Sequence, residues 1–150
     1  MQVKEKMITD PKTLSPRDSL WDAAEIMTVN HLSAMPVVDA TGQLKGVVEI
    51  VDLLPSLVPL PFSTDTALRL LDDWVDERNL EGFKGRYRQV TVNEVMHWDL
   101  HILKPHDSLL QALRVISRSG ARHLYVVGDN YRLLGVITPA DILNVMRGER

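Results

Sequence analysis

The residues with the greatest chemical capacity in this chain lie in the stretch Gly135-Val136-Ile137-Thr138-Pro139-Ala140-Asp141. An apolar run of strand character there meets the start of a helix, with Thr138 suited to the N-cap and Pro139 to the first helical position. The unpaired N–H groups of a helix start favour negative charge, phosphate included. The Thr138 hydroxyl can reach a phosphate oxygen, and the Asp141 carboxylate can accept paired hydrogen bonds from vicinal ribose hydroxyls. Gly135 leaves room for another chain segment or a flat ligand against the backbone. The same residues have a second reading, because Thr138-x-x-Asp141 is also a local capping pair with Asp in place of the usual Glu or Gln. Spacing alone leaves both open.

Histidine offers less. His97 and His101 stand four apart, a metal spacing on a helix, but they flank a predicted strand and turn, and no third ligand accompanies them. His106 follows Pro105 in a capping loop. Asp39, Asp52 and Asp141 serve as turn or cap residues. The sequence holds no cysteine, which removes cysteine–zinc sites, iron–sulfur clusters, disulfides and thiol catalysis. No P-loop, paired catalytic carboxylates or dinucleotide fingerprint is present. The chain therefore reads as a non-enzyme, without metal or catalytic cofactor.

The elements that position these residues are written twice. Shifted by 89 positions, residues 3–54 lie over 92–143 without a gap, and 17 of the 52 pairs are identical, where unrelated chains give roughly three. The matches include Val3/Val92, Met7/Met96, Leu14/Leu103, Asp18-Ser19-Leu20 with Asp107-Ser108-Leu109, Val37-Val38 with Val126-Val127, Gly46-Val47 with Gly135-Val136, and Asp52/Asp141. Copies of this size are too small for independent cores and should pack together.

Each copy begins with a short strand, Thr13-Leu14-Ser15 or Ile102-Leu103-Lys104, ended by Pro16 or Pro105. Ser19 and Ser108 are N-caps, and Ser108-x-x-Gln111 carries the full capping-box pattern. A helix follows, with Leu20, Ala23, Ala24 and Met27 or Leu109, Ala112, Leu113 and Ile116 on its apolar face. Gly120 ends the second of these helices, and His31 stands in that place in the first. A hairpin comes next (Met35–Asp39 with Leu44–Val48, Leu124–Gly128 with Leu133–Ile137), and a second helix begins near Asp52 or Pro139. The order is β-α-β-β-α, twice.

Pro55, Pro59 and Pro61 stop the first copy. Ser63-Thr64-Asp65 can cap a connector helix to about Arg78, with Ala67, Leu68, Leu71, Trp74 and Val75 on one face. The basic, aromatic segment Gly82–Arg88 reads either as a solvated connector or as a flap or partner contact. The expected divisions are 1–60, 61–90 and 91–150.

The charged opening, Met1–Lys6, leads into no long apolar run, so no signal peptide is expected, and no stretch is long enough to span a membrane. The formal net charge is −3, and only residues 91–150, with 7 basic and 6 acidic side chains, are slightly positive. A nucleic-acid surface would need a basic stripe that this chain lacks. A cytoplasmic location is expected.

The repeated pattern Pro16-x-Asp18-Ser19-Leu20-x-x-Ala23, followed by Met35-Pro36-Val37-Val38-Asp39 and Gly46-Val47-Val48-Glu49-Ile50-Val51-Asp52, closely resembles the cystathionine-β-synthase (CBS) domain, and two in tandem resemble a Bateman module. The resemblance covers nearly all of the chain outside 55–90. It implies an α+β fold of two pseudo-symmetric β-α-β-β-α motifs packed sheet to sheet, with the extra helix in the connector. It also implies two clefts between the copies, suited to AMP, ADP, ATP or a related adenosyl compound. By the family's motif Asp141 would hold ribose and Thr138 would lie near phosphate. His101, Ile102 and Leu103 would line the base pocket, and Arg122-His123 would meet phosphate. In the first copy Asp52 remains, but Glu49 takes the hydroxyl position and Ser33-Ala34 replaces the basic pair. A carboxylate there repels phosphate unless protonated or paired, so that motif is expected to be empty, structural, or suited to fewer phosphates. Tyr125, where the first copy has Pro36, alters the pocket wall.

Two functions follow. One is a regulatory adenine-nucleotide-binding module, a ligand-responsive homodimeric sensor acting on a separate regulated protein. The alternative is a dimerisation or protein-interaction scaffold with vestigial clefts, joined through the helices at Val51–Leu57 and Pro139–Met146.

Overall fold

The computed structural model describes residues 1–54, 85 and 87–148. The expected connector helix from Ser63, and most of the Gly82–Arg88 segment, lie outside the described residues. The elements in chain order are β1 (Ile8–Thr9), α1 (Leu20–Val29), β2 (Ala34–Val38), β3 (Leu44–Glu49), β4 (His101–Leu103), α2 (Leu109–Ser119), β5 (Leu124–Val127), β6 (Leu133–Ile137) and α3 (Pro139–Met146). Short 3-10 turns occupy Val3–Glu5, Ile50–Leu53, Val92–Glu94 and Asp129–Tyr131.

Both α1 and α2 start where a serine can cap them: Ser19 Oγ accepts from Asp22 N and Ser108 Oγ from Gln111 N, each at 3.1 Å. The full capping box expected at Ser108 is only half made, since Gln111 returns no bond. Gly120 ends α2 in the left-handed region (φ 70°), and His31 takes the same conformation (φ 53°) after α1. The expected second helix of the first copy is, within the described residues, a 3-10 turn. Leu54 is extended there (ψ 146°) because Pro55 follows and disfavours helical backbone in the residue before it.

The strands form a four-stranded sheet in the order β1-β6-β5-β4, with β4 and β5 parallel and the other pairs antiparallel, and a two-stranded sheet β2-β3. The smaller sheet repeats the larger in reduced form. The expected strand at Thr13–Ser15 shrinks to one parallel bridge, Leu14 to Val37, matching the pairing of Leu103 with Val126. The bridge of His97 to Val47 likewise matches that of Ile8 to Val136.

The repeats of the sequence are not the halves of the molecule. Val3 N donates to Asp107 O (2.8 Å) and Lys4 N to Pro105 O (3.0 Å), so the first residues cap the second copy. Reciprocally, Val92 N donates to Asp18 O (2.8 Å) and Asn93 N to Pro16 O (3.0 Å). Val3 is accordingly buried with Leu103, Ala112, Leu124, Val126 and Ile137, and Val92 with Leu14, Ala23, Met27, Met35 and Val37. A third cluster, built on Leu44, Val47, Tyr125, Val127 and Val136, joins the two sheets face to face. On the first half, the Tyr87 hydroxyl donates to Leu53 O, and the Arg88 guanidinium sits 5.0 Å from the centre of the Trp21 ring.

Gly135 is required by this exchange. A Cβ there would lie 2.6 Å from Ile8 O and 2.7 Å from Met7 Sδ, so the close neighbour is the exchanged segment itself. At Gly46 the nearest atom is His97 O, at 3.0 Å. Gly135→Ala should therefore cost about 1–3 kcal/mol and Gly46→Ala less, as read from urea unfolding. Equal costs would show that β1 gives way freely.

Candidate functional site

Two clefts open at the seam between the sheets, each of about 370 Å³ and related by the 89-residue shift. Each joins the corner after a β-hairpin in one copy to the pre-strand segment and helix-to-strand turn of the other. The first, the Glu49 cleft, is lined by Val47, Glu49, Ile50 and Val51 on one side and by Asp99, Leu100, His101, Ser119 to His123 and Tyr125 on the other. The second, the Thr138 cleft, has Val136 and Thr138 facing Asp10, Pro11, Lys12, Asn30, Leu32, Ala34 and Pro36. Ala34, His123 and Tyr125 belong to both.

This crossing distributes the expected site residues. His101 and Arg122 line the Glu49 cleft and not the Thr138 cleft, while His123 reaches both. Ile102 packs in the seam between the sheets, and Leu103, 2% exposed, lies in the second core; neither lines a cleft. Asp141 stands behind Thr138. Its Oδ2 accepts from Thr138 N (2.7 Å) and from Thr138 Oγ1 (2.8 Å), which completes a capping box. The hydroxyl has one proton, and Asp141 holds it. Asp52 is placed alike, its Oδ2 accepting from Glu49 N (2.8 Å), but it also lies 3.1 Å from His97 Nε2. His97 thus occupies an oxygen whose counterpart in the second copy, among the described residues, is bound by Thr138 alone.

The clefts differ in charge. Around the Glu49 cleft two carboxylates, Glu49 and Asp99, face Arg122 and two histidines. Burial pulls His123 below its ordinary value of 6.5, Glu49 opposes that shift, and Arg122 adds to it. Burial, reinforced by Glu49, pushes the Tyr125 hydroxyl far above the usual phenol range, which keeps it a neutral donor. The Thr138 cleft has apolar walls from Ile8, Pro11, Leu32, Pro36 and Val136, with Thr138, Asn30, Lys12, Asp10 and the shared His123 and Tyr125 as its polar points. Mostly apolar walls with a few convergent polar groups are what a small-molecule site needs. Sequence reasoning overlooked Lys12, Asn30 and the His97–Asp52 pair. The ungapped match did align Lys12 with His101 and Ile8 with His97, so the signal lay in the differences between copies. Among the described residues no group of three or more His, Asp or Glu could hold a metal ion, and no helix is long and apolar enough to cross a membrane.

The family model of the CBS domain matches residues 3–58 and again 92–148. The chain belongs to the CBS-domain family. CBS domain-containing protein YhcV of Bacillus subtilis is 30% identical over 148 residues, covering 98% of this chain and 87% of that protein. MJ1232 of Methanocaldococcus jannaschii, an uncharacterised protein, is 24% identical over 137 residues, yet the chain spans only 36% of its length. Among solved structures, a CBS domain-containing protein of unknown function from Kribbella flavida superposes with a TM-score of 0.77 at 20% identity, covering 100% of both chains. CBSX2 of Arabidopsis thaliana, in a complex with AMP, gives 0.71 at 21% identity over 98% of this CBS pair and 96% of that chain. The tandem CBS pair is a regulatory, non-catalytic module.

The partly buried His123 has a consequence for stability. Its folded-state pKa is depressed, so as pH falls the unfolded chain binds the proton first. Stability is then complete above about 6.5, the unfolded value, and is lost as pH falls through it toward the folded value. Melting temperatures of the wild type and His123→Gln should run parallel above neutrality and diverge on acidification, with the wild type falling further. Parallel curves throughout would remove this assignment.

Proposed function

We propose that this CBS pair is a regulatory module that binds an adenine nucleotide in the Thr138 cleft. The observation that carries the reading is the slot itself: apolar walls for a flat base, with Thr138 at the start of α3 on one side and Lys12 across from it for phosphate. The capping box gives the binding step a definite chemistry. A phosphate oxygen that takes the Thr138 proton releases Asp141 Oδ2 from one of its two bonds, and that oxygen becomes an acceptor for ribose. Phosphate thereby prepares the ribose contact. The AMP complex of CBSX2, a protein of the same fold, supports adenine nucleotide as the ligand class. Arg122 and His101 belong, in this reading, to the Glu49 cleft, with Asp52 behind its corner, and there Glu49, standing where the other cleft has Thr138, disfavours a phosphate-rich ligand.

Calorimetric titration of AMP, ADP and ATP, with GMP as the control, tests the assignment. Lys12→Glu and Thr138→Val should weaken the best adenine ligand by about tenfold or more, whereas Arg122→Glu should leave it within about twofold. The opposite ranking would move the nucleotide to the Glu49 cleft, and absence of binding would overturn the reading.

A second property, homodimer formation, rests on a different observation. Helices α2 and α3 lie side by side and present Leu110, Leu113, Leu143 and Met146 to solvent, with Leu143 56% and Met146 73% exposed. Val51 and Leu54 do the same for the first copy. Such apolar helix faces suit a symmetric interface, through which a bound nucleotide can bias a separate regulated protein. It also accommodates the scaffold alternative, in which the dimer persists with empty clefts. Light scattering should report a dimer for the wild type and a monomer for Leu143→Glu/Met146→Glu. A monomeric wild type would end both versions.

A further inference from the structure

The second copy departs from the first at its hairpin turn. Gly42 sits in the left-handed region (φ 84°), where glycine is at ease, and its equivalent in the second copy is Tyr131. Tyr131 adopts the same region (φ 61°), directly after Asn130 (φ 56°). A bulky residue there is strained. The ring gains no burial in return, being 48% exposed and absent from all three cores. It stands over an open groove of about 1020 Å³ with Val127 and Leu134 among its lining, and with Lys104, His106 and Arg132 around it.

The cations are unspent. Neither Lys104 nor Arg132 has a hydrogen-bond or ion-pair partner for its side chain among the described residues, and His106 has only Gln2 Oε1, 3.3 Å from its Nδ1. The Arg132 side chain runs beside the Gly42 turn, its Nε 3.7 Å from where an added Cβ would stand. The one acid on the groove wall is Asp129. A net positive groove on a chain of net charge −3 is a local exception. An exposed aromatic beside an unpaired arginine and lysine has the composition of an interaction hot spot, and the cations set the sign of the partner.

We propose that this groove docks an acidic segment of a partner protein, with the Tyr131 ring as anchor and Lys104 and Arg132 as its charge contacts. Two cations fall short of the stripe that a nucleic-acid strand needs, and an open trough suits an extended peptide better than a small molecule. The assignment is independent of the nucleotide reading and of the dimer surface, because none of these residues lines the Thr138 cleft or the exposed faces of α2 and α3.

Fluorescence anisotropy of a labelled peptide of repeated Glu-Glu-Leu, titrated with the whole chain, tests it. Saturable binding should weaken by about tenfold in Lys104→Glu and in Tyr131→Gly, and Tyr131→Gly should melt at or above the wild-type temperature because it restores the residue the first copy uses. The proposal fails if no saturable binding occurs or if neither variant weakens it. It fails equally if Tyr131→Gly lowers the melting temperature by several degrees, which would make the ring structural. A labelled oligothymidylate bound more tightly than the peptide would assign the groove to nucleic acid, and self-association lost in the same variants would assign it to a second copy; either result overturns the acidic-peptide assignment.

Discussion

Reciprocal capping is the constraint on which the rest of the structure depends. Each repeat sends its first residues across to the other, where Val3 or Val92 fills a core and the neighbouring N–H groups reach the carbonyls of Asp107 and Pro105 or of Asp18 and Pro16. Buried backbone groups need such partners, and an apolar side chain delivered with them makes the crossing favourable by burial as well. The crossing fixes where the two sheets meet, through Leu44, Val47, Tyr125, Val127 and Val136. The clefts lie at the margins of that meeting, so every site residue is placed at second hand by a contact that neither repeat makes with itself.

A cleft built from two copies is asymmetric whenever the copies differ. Thr138 and Glu49 occupy equivalent corners, yet one offers a hydroxyl held by Asp141 and the other a carboxylate facing Arg122 and His123. The partners differ too, with Lys12 and Asn30 across from Thr138 and His101 and Arg122 across from Glu49. One fold therefore carries two distinct chemical environments, and the walls they share at His123 and Tyr125 put each within electrostatic reach of the other.

Much of this was legible in the sequence because it is local. Ser19, Ser108 and Thr138 announce helix starts, Gly120 announces a stop, and alternating apolar residues mark both hairpins; all rest on interactions within a few residues. The ungapped repeat gave the doubled fold for the same reason. What the sequence does not carry is which copy faces which. The family's pattern gives Arg122 and Thr138 a common phosphate, but the pairing of β1 with β6 and the contact of His97 with Val47 are decided by nonlocal packing. The role of Gly135 was open between ligand and chain segment, and only the position of Ile8 decides it. The turn at Ile50 is shorter than expected because Pro55, visible in the sequence, acts one residue earlier than a helix-start argument considers.

The crossing also sets the order in which the molecule can become ordered. Among the described residues, strand β1 has its only partner in β6, more than a hundred residues further along. On a ribosome, the residues of β1 must therefore wait, unpaired, until β6 has emerged, and the closing event brings the two strands together against the entropy of a very long loop.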